Sequence, residues 1–161
     1  MPVRTGIGWD SHRLSGPPTR PLILGGVDLP FDQGLVGHSD ADVLTHAVID
    51  ALLGAAGLDD IGRHFPDSDP RWKGADSIVL LRQVVGDVGD AGLRICHVDT
   101  TVVMERPKLA PHRAAIRARL AEALGVTLAH VNVKASTGEG MGFDGRGEGI
   151  AALAVVTLDS T

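Results

Sequence analysis

The order of strand-like and helix-like segments limits this chain more than any other feature. Residues 93–105 and 150–158 are apolar and rich in β-branched side chains, and read as two long strands, the last of them buried. Between them Pro111 opens a helix in which Ile116, Leu120 and Leu124 recur every four residues, with Arg113 and Arg117 on the other face. A short strand is expected at 131–135, followed by a glycine-rich loop at 138–149. Upstream, residues 3–9 form a strand with Ile7 and Trp9 on one face. Residues 21–31 set Gly25-Gly26 between two apolar runs, as a hairpin does. Ser39 is the expected N-cap of a helix running to about Gly54, with Asp40 and Asp42 in its first turn, and a second helix is expected over 76–88. The stretch 59–76, with Pro66 and Pro70, reads mostly as loop. Strands and helices mix without strict alternation. The fold class expected is therefore α+β, one compact domain whose mostly antiparallel sheet carries helices on one face.

A chain of 161 residues, 43% hydrophobic, suits one domain with a core of its own. Aromatic residues make up only 3% and Tyr is absent, so that core must be Val, Leu, Ile and Ala. Twenty-one glycines exceed what it needs and point to specialised loops. A net charge of −5 suits the tracking of nucleic-acid phosphates poorly. One cysteine, Cys96, excludes an intrachain disulfide and a cysteine-based zinc cluster. No apolar run approaches the ~18 residues of a membrane span, and neither a signal nor a transit pattern is seen, so a bacterial cytoplasmic protein is expected.

Four segments carry candidate chemistry. Asp10 and His12, at i and i+2 on an extended chain, project to one face and offer an oxygen and an imidazole to a divalent metal; the plain alternative is a turn carboxylate beside a solvated histidine. Asp42, His46 and Asp50 lie at i, i+4 and i+8 opposite Leu44 and Val48. That row is either the wet side of an amphipathic helix or the source of a third ligand, His46, with Asp50 orienting an imidazole. Three ligands would leave a fourth position open, as in catalytic zinc. His38-Ser39, just before the helix, suits an anion, or is simply cap chemistry. In the glycine-rich loop, Gly140, Gly142 and Gly145 fit G-x-G-x-x-G, but the segment runs into a strand where a dinucleotide fingerprint needs a helix. Ser136, Thr137, Gly138 and Glu139 better suit phosphate contacts and a hard cation, and Pro107-Lys108-Leu109 could contact a base and a phosphate. His64, His97, His112 and His130 read as structural or surface residues.

Taken together these segments are no longer independent. Residues 8–12 (Gly-Trp-Asp-Ser-His), 37–42 (Gly-His-Ser-Asp-Ala-Asp), 50–56 (Asp-Ala-Leu-Leu-Gly-Ala-Ala) and 60–70 (Asp-Ile-Gly-Arg-His-Phe-Pro-Asp-Ser-Asp-Pro) resemble the 2-C-methyl-D-erythritol 2,4-cyclodiphosphate synthase family. So do 72–77 (Trp-Lys-Gly-Ala-Asp-Ser), 131–135 (Val-Asn-Val-Lys-Ala) and 142–150 (Gly-Phe-Asp-Gly-Arg-Gly-Glu-Gly-Ile). The likeness runs in order over nearly the whole chain. It implies a single synthase domain, residues 1–161, without the cytidylyltransferase domain fused in some relatives.

The resemblance implies a lyase of the non-mevalonate isoprenoid pathway that turns 4-diphosphocytidyl-2-C-methyl-D-erythritol 2-phosphate into the cyclic diphosphate and CMP. Carried over by position, Asp10, His12 and His46 bind zinc, and Glu139 holds Mg²⁺ or Mn²⁺. His38 and Ser39 contact substrate phosphates, and His38 and Thr137 stabilise the transition state. Asp60, Ile61, Gly62, Phe65, Pro66, Asp67, Ser68 and Asp69 lie along the methylerythritol. Met104, Pro107, Lys108, Leu109 and Ala110, with Ser136, Thr137, Gly138 and Glu139, surround the cytidine diphosphate. The family is a homotrimer with active sites between subunits, and its central cavity can take an isoprenoid diphosphate. Trp9, Phe143, Arg146 and Glu148 match positions lining that cavity. Ser136 and Gly138 depart from the family pattern, where hydroxyl residues (Thr at the first) are usual. Two rival functions are a metal-dependent phosphohydrolase and a non-catalytic isoprenoid-diphosphate binding trimer.

Overall fold

A computed structural model describes residues 2–16 and 20–161. Its strands are β1 (Arg4–Ser15), β2 (Leu22–Leu24), β3 (Val27–Leu29), β4 (Gly34–Leu35), β5 (Leu93–Val103), β6 (Val131–Ser136) and β7 (Gly149–Ser160). The helices are α1 (Val43–Ala56), α2 (Ile61–His64), α3 (Ser77–Asp90), α4 (Arg113–Leu124) and α5 (Gly142–Gly145). Five strands form one sheet in the order β4-β1-β7-β5-β6, and β2 and β3 pair as the hairpin expected around Gly25-Gly26. The pairs β4–β1, β1–β7 and β7–β5 are antiparallel, but β5 and β6 run parallel, so the sheet is mixed. A parallel pair needs a crossover, and α4 supplies it.

Alternation of side chains sorts the sheet into two faces. Gly8 pairs with Ala154, which pairs with Thr100, which pairs with Val133, and this buried row faces the helices. One residue along, Ile7 pairs with Val155 and Trp9 with Leu153, on the opposite face. There Ile7 is 71%, Trp9 53% and Val155 46% exposed.

The helix α1 lies on the buried face and is enclosed on all sides: of its 14 residues only Asp50 and Gly54 escape full burial. The approach is possible because β1 has glycine there. A Cβ at Gly8 would stand 1.8 Å from the Ala47 carbonyl oxygen, and one at Gly6 2.0 Å from that of Ala51. This overturns the amphipathic reading of Asp42, His46 and Asp50, since Asp42 and His46 are buried. The N-cap also shifts from Ser39 to Asp42, because residues 39–42 are not helical and Ala41 has φ 57°. Asp42 Oδ1 accepts from the backbone N–H of Thr45 at 3.0 Å and of Gly25 at 2.9 Å. Its Oδ2 accepts from Gly26 N–H at 2.7 Å and from the Thr45 hydroxyl at 2.7 Å. One carboxylate thus caps the central helix and ties the hairpin to it.

The stretch expected to be mostly loop contains α2, capped by Asp60, and a 3₁₀ turn at Pro70–Trp72, capped by Asp69. The glycine-rich loop holds one helical turn, α5, and then enters β7, so the rejection of dinucleotide geometry stands. Among the described residues no helix is long and apolar enough to cross a membrane.

Candidate active site

The pleat sets Asp10 and His12 on the helix side of β1, two residues apart, and α1 carries His46 against them. The Asp10 carboxylate oxygen Oδ2 lies 2.9 Å from His12 Nε2 and 3.0 Å from His46 Nδ1, and the two nitrogens are 3.3 Å apart. Among the described residues this is the one group of three such donors close enough to share a cation. Ligands at about 2.1 Å in a tetrahedron stand about 3.4 Å from one another, so these donors need to open by only a few tenths of an ångström. The outer nitrogen of each ring is already engaged. His12 Nδ1 lies 2.9 Å from the Val36 carbonyl, which can only accept, so Nδ1 carries a proton; Nε2, facing Asp10, is bare in the neutral ring and donates to Asp10 only in the protonated one. His46 Nε2 lies 2.7 Å from the Ser77 hydroxyl, which leaves Nδ1 facing inward.

Burial opposes ionisation of Asp10, but hydrogen bonds from His12 and then His46, with the attraction of both rings, outweigh it and bring the carboxyl down to about 2. For His12, burial favours the neutral ring, and the hydrogen bond and charge of Asp10 overcome it and raise the pKa. The cluster therefore holds an anionic oxygen between the two rings at neutral pH.

These side chains open into a cavity of about 500 Å³. His38, Ser39, Ile61, Gly62, Phe65, Pro66 and Asp67 also line it. Asp60, Ser68 and Asp69 do not: Asp60 caps α2, and the Asp69 carboxylate pairs with Arg71. The Asp69 carbonyl instead accepts from His38 Nε2 at 3.4 Å. Asp50 does not orient an imidazole; it accepts from Ile61 N–H at 2.8 Å and fastens α2 to α1.

The remaining candidates lie elsewhere. Met104, Pro107, Lys108, Leu109, Ala110, Ser136 and Thr137 line a separate cavity of about 200 Å³ at the ends of β5 and β6. Gly138 and Glu139 follow at once, with Glu139 N–H reaching Thr137 Oγ1 at 3.3 Å and Glu139 held at φ 54°. A Cβ on Gly138 would meet Asp144 Oδ2 at 2.2 Å, so the hydroxyl residue usual here would not fit beside that carboxylate. Phe143 lines a third cavity with Ser11 and His12, while Arg146 pairs with Glu148 at 2.9 Å on the surface. His64 and His130 bond to the carbonyls of Leu58 and Cys96, in keeping with structural roles.

Five residues of the first cavity region escaped the sequence reading. Trp72 packs edge-on against Phe65 at 5.0 Å and, with Leu80, walls its apolar side. Arg20 donates to the carbonyls of Gly37, at 2.9 Å, and Ser39, holding the loop on both sides of His38. Asp40 and Ser77 back His46. Asp40, Trp72 and Ser77 do fall in the segments 37–42 and 72–77 that carry the family resemblance, but no sequence pattern assigned them a role at the site.

The chain matches the model of the YgbB family over residues 3–159. A "Bifunctional enzyme IspD/IspF" of Anaeromyxobacter sp. (strain Fw109-5) is 60% identical over 98% of this chain, which spans 40% of that relative's length. The 2-C-methyl-D-erythritol 2,4-cyclodiphosphate synthase of Synechococcus sp. (strain JA-2-3B'a(2-13)) is also 60% identical, over 97% of this chain and 98% of its own. A solved 2C-methyl-D-erythritol-2,4-cyclodiphosphate synthase, in its CDP-bound form, superposes with TM-score 0.88 at 40% identity, over 97% of this chain and all of that one. Sequence, fold and the Asp10/His12/His46 cluster agree: this chain belongs to the YgbB family.

Proposed function

We propose that the chain is a single cyclodiphosphate synthase domain, a metal-dependent phosphorus–oxygen lyase acting on 4-diphosphocytidyl-2-C-methyl-D-erythritol 2-phosphate. An oxygen of the 2-phosphate forms a bond to the β-phosphorus. The bond from that phosphorus to the oxygen bridging the diphosphate breaks, and CMP leaves with that oxygen and its electron pair. The observation that carries this reading is the cluster of Asp10, His12 and His46 opening beside His38 and Ser39 into a cavity with an apolar wall. An intramolecular transfer needs positioning and charge stabilisation more than covalent help. Donor chemistry suits zinc at the cluster and Mg²⁺ or Mn²⁺ at Glu139, and the bound cations would offset phosphate charge on an otherwise acidic protein.

The residues divide the work. His38 and Ser39, clamped by Arg20, grip phosphate, and Phe65, Trp72 and Ile61 shelter the methylerythritol carbons. The cavity at Met104, Lys108 and Thr137 takes the cytidine diphosphate, with His38 and Thr137 stabilising charge in the transition state. These two cavities share no lining residue, and β1 and β6 are three strand spacings apart, about 14 Å. A homotrimer that sets one chain's metal side against its neighbour's nucleotide side resolves this. The exposed face bearing Ile7, Trp9 and Val155 is the surface for it. Trp9, Phe143, Arg146 and Glu148 would then line a central cavity able to hold an isoprenoid diphosphate.

The test is CMP release from the cytidyl substrate by purified protein, with and without chelator, and phosphorus NMR of the product. Chelator-sensitive CMP release with a cyclic diphosphate is expected. An acyclic phosphate would mean a hydrolase, and no CMP from a folded, metal-loaded protein a binding role only.

A further inference from the structure

The His46 ring is held from behind by Ser77, 31 residues away in sequence, which is itself held by Asp40. Ser77, the first residue of α3, is fully buried, and its Oγ lies 2.7 Å from His46 Nε2. Asp40 engages both polar groups of Ser77: Oδ2 accepts the backbone N–H at 2.9 Å, and Oδ1 accepts the hydroxyl proton. That Oδ1 also accepts Asp42 N–H at 3.1 Å.

An ionised carboxylate only accepts. The one proton of the Ser77 hydroxyl is therefore spent on Asp40, and what Ser77 turns to His46 is a lone pair. His46 must then donate through Nε2–H, which in the neutral ring leaves Nδ1 bare. Nδ1 is the nitrogen 3.0 Å from Asp10 Oδ2 and 3.3 Å from His12 Nε2.

We propose that Asp40 and Ser77 are a positioning pair that fixes the tautomer and orientation of His46, so that Nδ1 is presented to a divalent cation. They touch neither cation nor substrate. The inference rests on the reading of Asp10, His12 and His46 as a metal site and adds what makes His46 a competent ligand. Ser39 Oγ is also 3.2 Å from His46 Nε2, but it accepts from Ala41 N–H at 3.3 Å and has no carboxylate holding its proton among the described contacts. It cannot dictate the tautomer.

The pair is separable from the scaffold. Segment 38–40 is stitched to 74–77 by backbone bonds as well, Gly74 N–H to His38 C=O at 2.8 Å and Asp40 N–H to Ala75 C=O at 3.1 Å. Ser77→Ala removes the hydroxyl and leaves those bonds in place. Asp40→Asn is a poorer probe, since either orientation of the amide sets its NH₂ against a backbone N–H of Ser77 or Asp42.

The experiment is zinc affinity by chelator competition on the full chain, unsubstituted and as Ser77→Ala, Ser77→Thr, Ser39→Ala and His46→Gln. Loss of an outer partner of a ligating histidine weakens binding about 10–100-fold, and that is the loss expected for Ser77→Ala. Ser77→Thr keeps the hydroxyl and should recover most of it, and Ser39→Ala should bind as the unsubstituted chain does. If His46→Gln holds zinc as tightly as before, the metal reading itself has failed. If His46→Gln loses zinc while Ser77→Ala keeps full affinity, the metal site stands and the positioning pair is overturned. Because a methyl at a fully buried position can itself disturb the site, a second readout is the His46 Nε2–H proton in zinc-saturated protein, by NMR. It should be far downfield and slow to exchange in the unsubstituted chain, and lose both properties in Ser77→Ala. An unchanged signal in Ser77→Ala also overturns the proposal.

Discussion

The two cavities differ in how far one chain finishes them. Around Asp10, His12 and His46 each contact commits the next: the Val36 carbonyl fixes His12, Ser77 holds His46, and Asp40 holds Ser77. The cavity at the ends of β5 and β6 is smaller, about 200 Å³ against about 500 Å³, and its polar groups Lys108 and Thr137 are exposed. The first is built on a strand and an enclosed helix; the second is built largely on loops. This contrast suits the proposed active site shared between neighbours: on that proposal, the half that would hold a cation is organised in advance, and the half that would take and release a nucleotide stays open until another chain closes over it.

His46→Ala should break the first half outright. The helix α1 keeps its apolar enclosure, so the protein stays folded, while zinc binding is lost. Turnover should fall on the order of 10³-fold, about 4 kcal/mol of barrier. Normal zinc content in this variant would sink the ligand assignment.

The second prediction turns on whether the halves belong to different chains. Thr137→Ala damages only the nucleotide half, and alone should be nearly as inactive as His46→Ala. Coexpressed, the two variants should form mixed trimers in which one interface of the three pairs two intact halves; averaged with the unmixed trimers, this gives about a quarter of normal activity under random cyclic assembly. A site contained in one chain gives no recovery.

Legibility in the sequence follows the same division. Asp10 and His12 could be read because a strand has a period of two and their spacing is local. His46 could be read as a candidate, but its surroundings could not. The i, i+4, i+8 polar row looks like a wet face unless one knows that Gly6 and Gly8 let β1 press onto the helix. Ser77 stood in the sequence at the end of the 72–77 segment, but its contact with His46 was out of reach, since it is 31 residues from His46 and joins it only through the placement of α3. The hairpin, the long strands and the central helices were legible from pattern. The parallel β5–β6 pair was not, because period alone does not state strand direction.

Gly8→Ala tests the enclosure itself. The added methyl would sit 1.8 Å from the Ala47 carbonyl oxygen, which belongs to helix backbone and cannot swing aside. Overpacking of this kind costs about 3 kcal/mol at the upper end, read as a lower urea midpoint. Because α1 must lift from β1, His46 moves away from Asp10, and zinc affinity should fall with stability. Stability lost without any change in zinc affinity would show that the cluster tolerates movement of the helix, against the preorganised character assigned to this half.

The smallest effect concerns the metal-free cluster and acid. Asp10 sits at about 2 against an ordinary 3.8, and its side chain is 26% exposed. A carboxyl lowered in the folded state binds fewer protons there than when unfolded. Its stabilisation is therefore complete above pH 3.8 and drains away as pH falls toward 2, on the order of 2 kcal/mol in all. His12 works in the opposite sense. Raised above 6.5, it stabilises fully below that value and loses its contribution as pH climbs through the folded pKa. The pair should thus favour the metal-free fold most between about pH 4 and 6.5. The gap in unfolding free energy between the unsubstituted chain and Asp10→Asn should be widest in that window and narrow on both sides. A gap flat from pH 3 to 8 would mean that the close packing of these three side chains owes nothing to their charge.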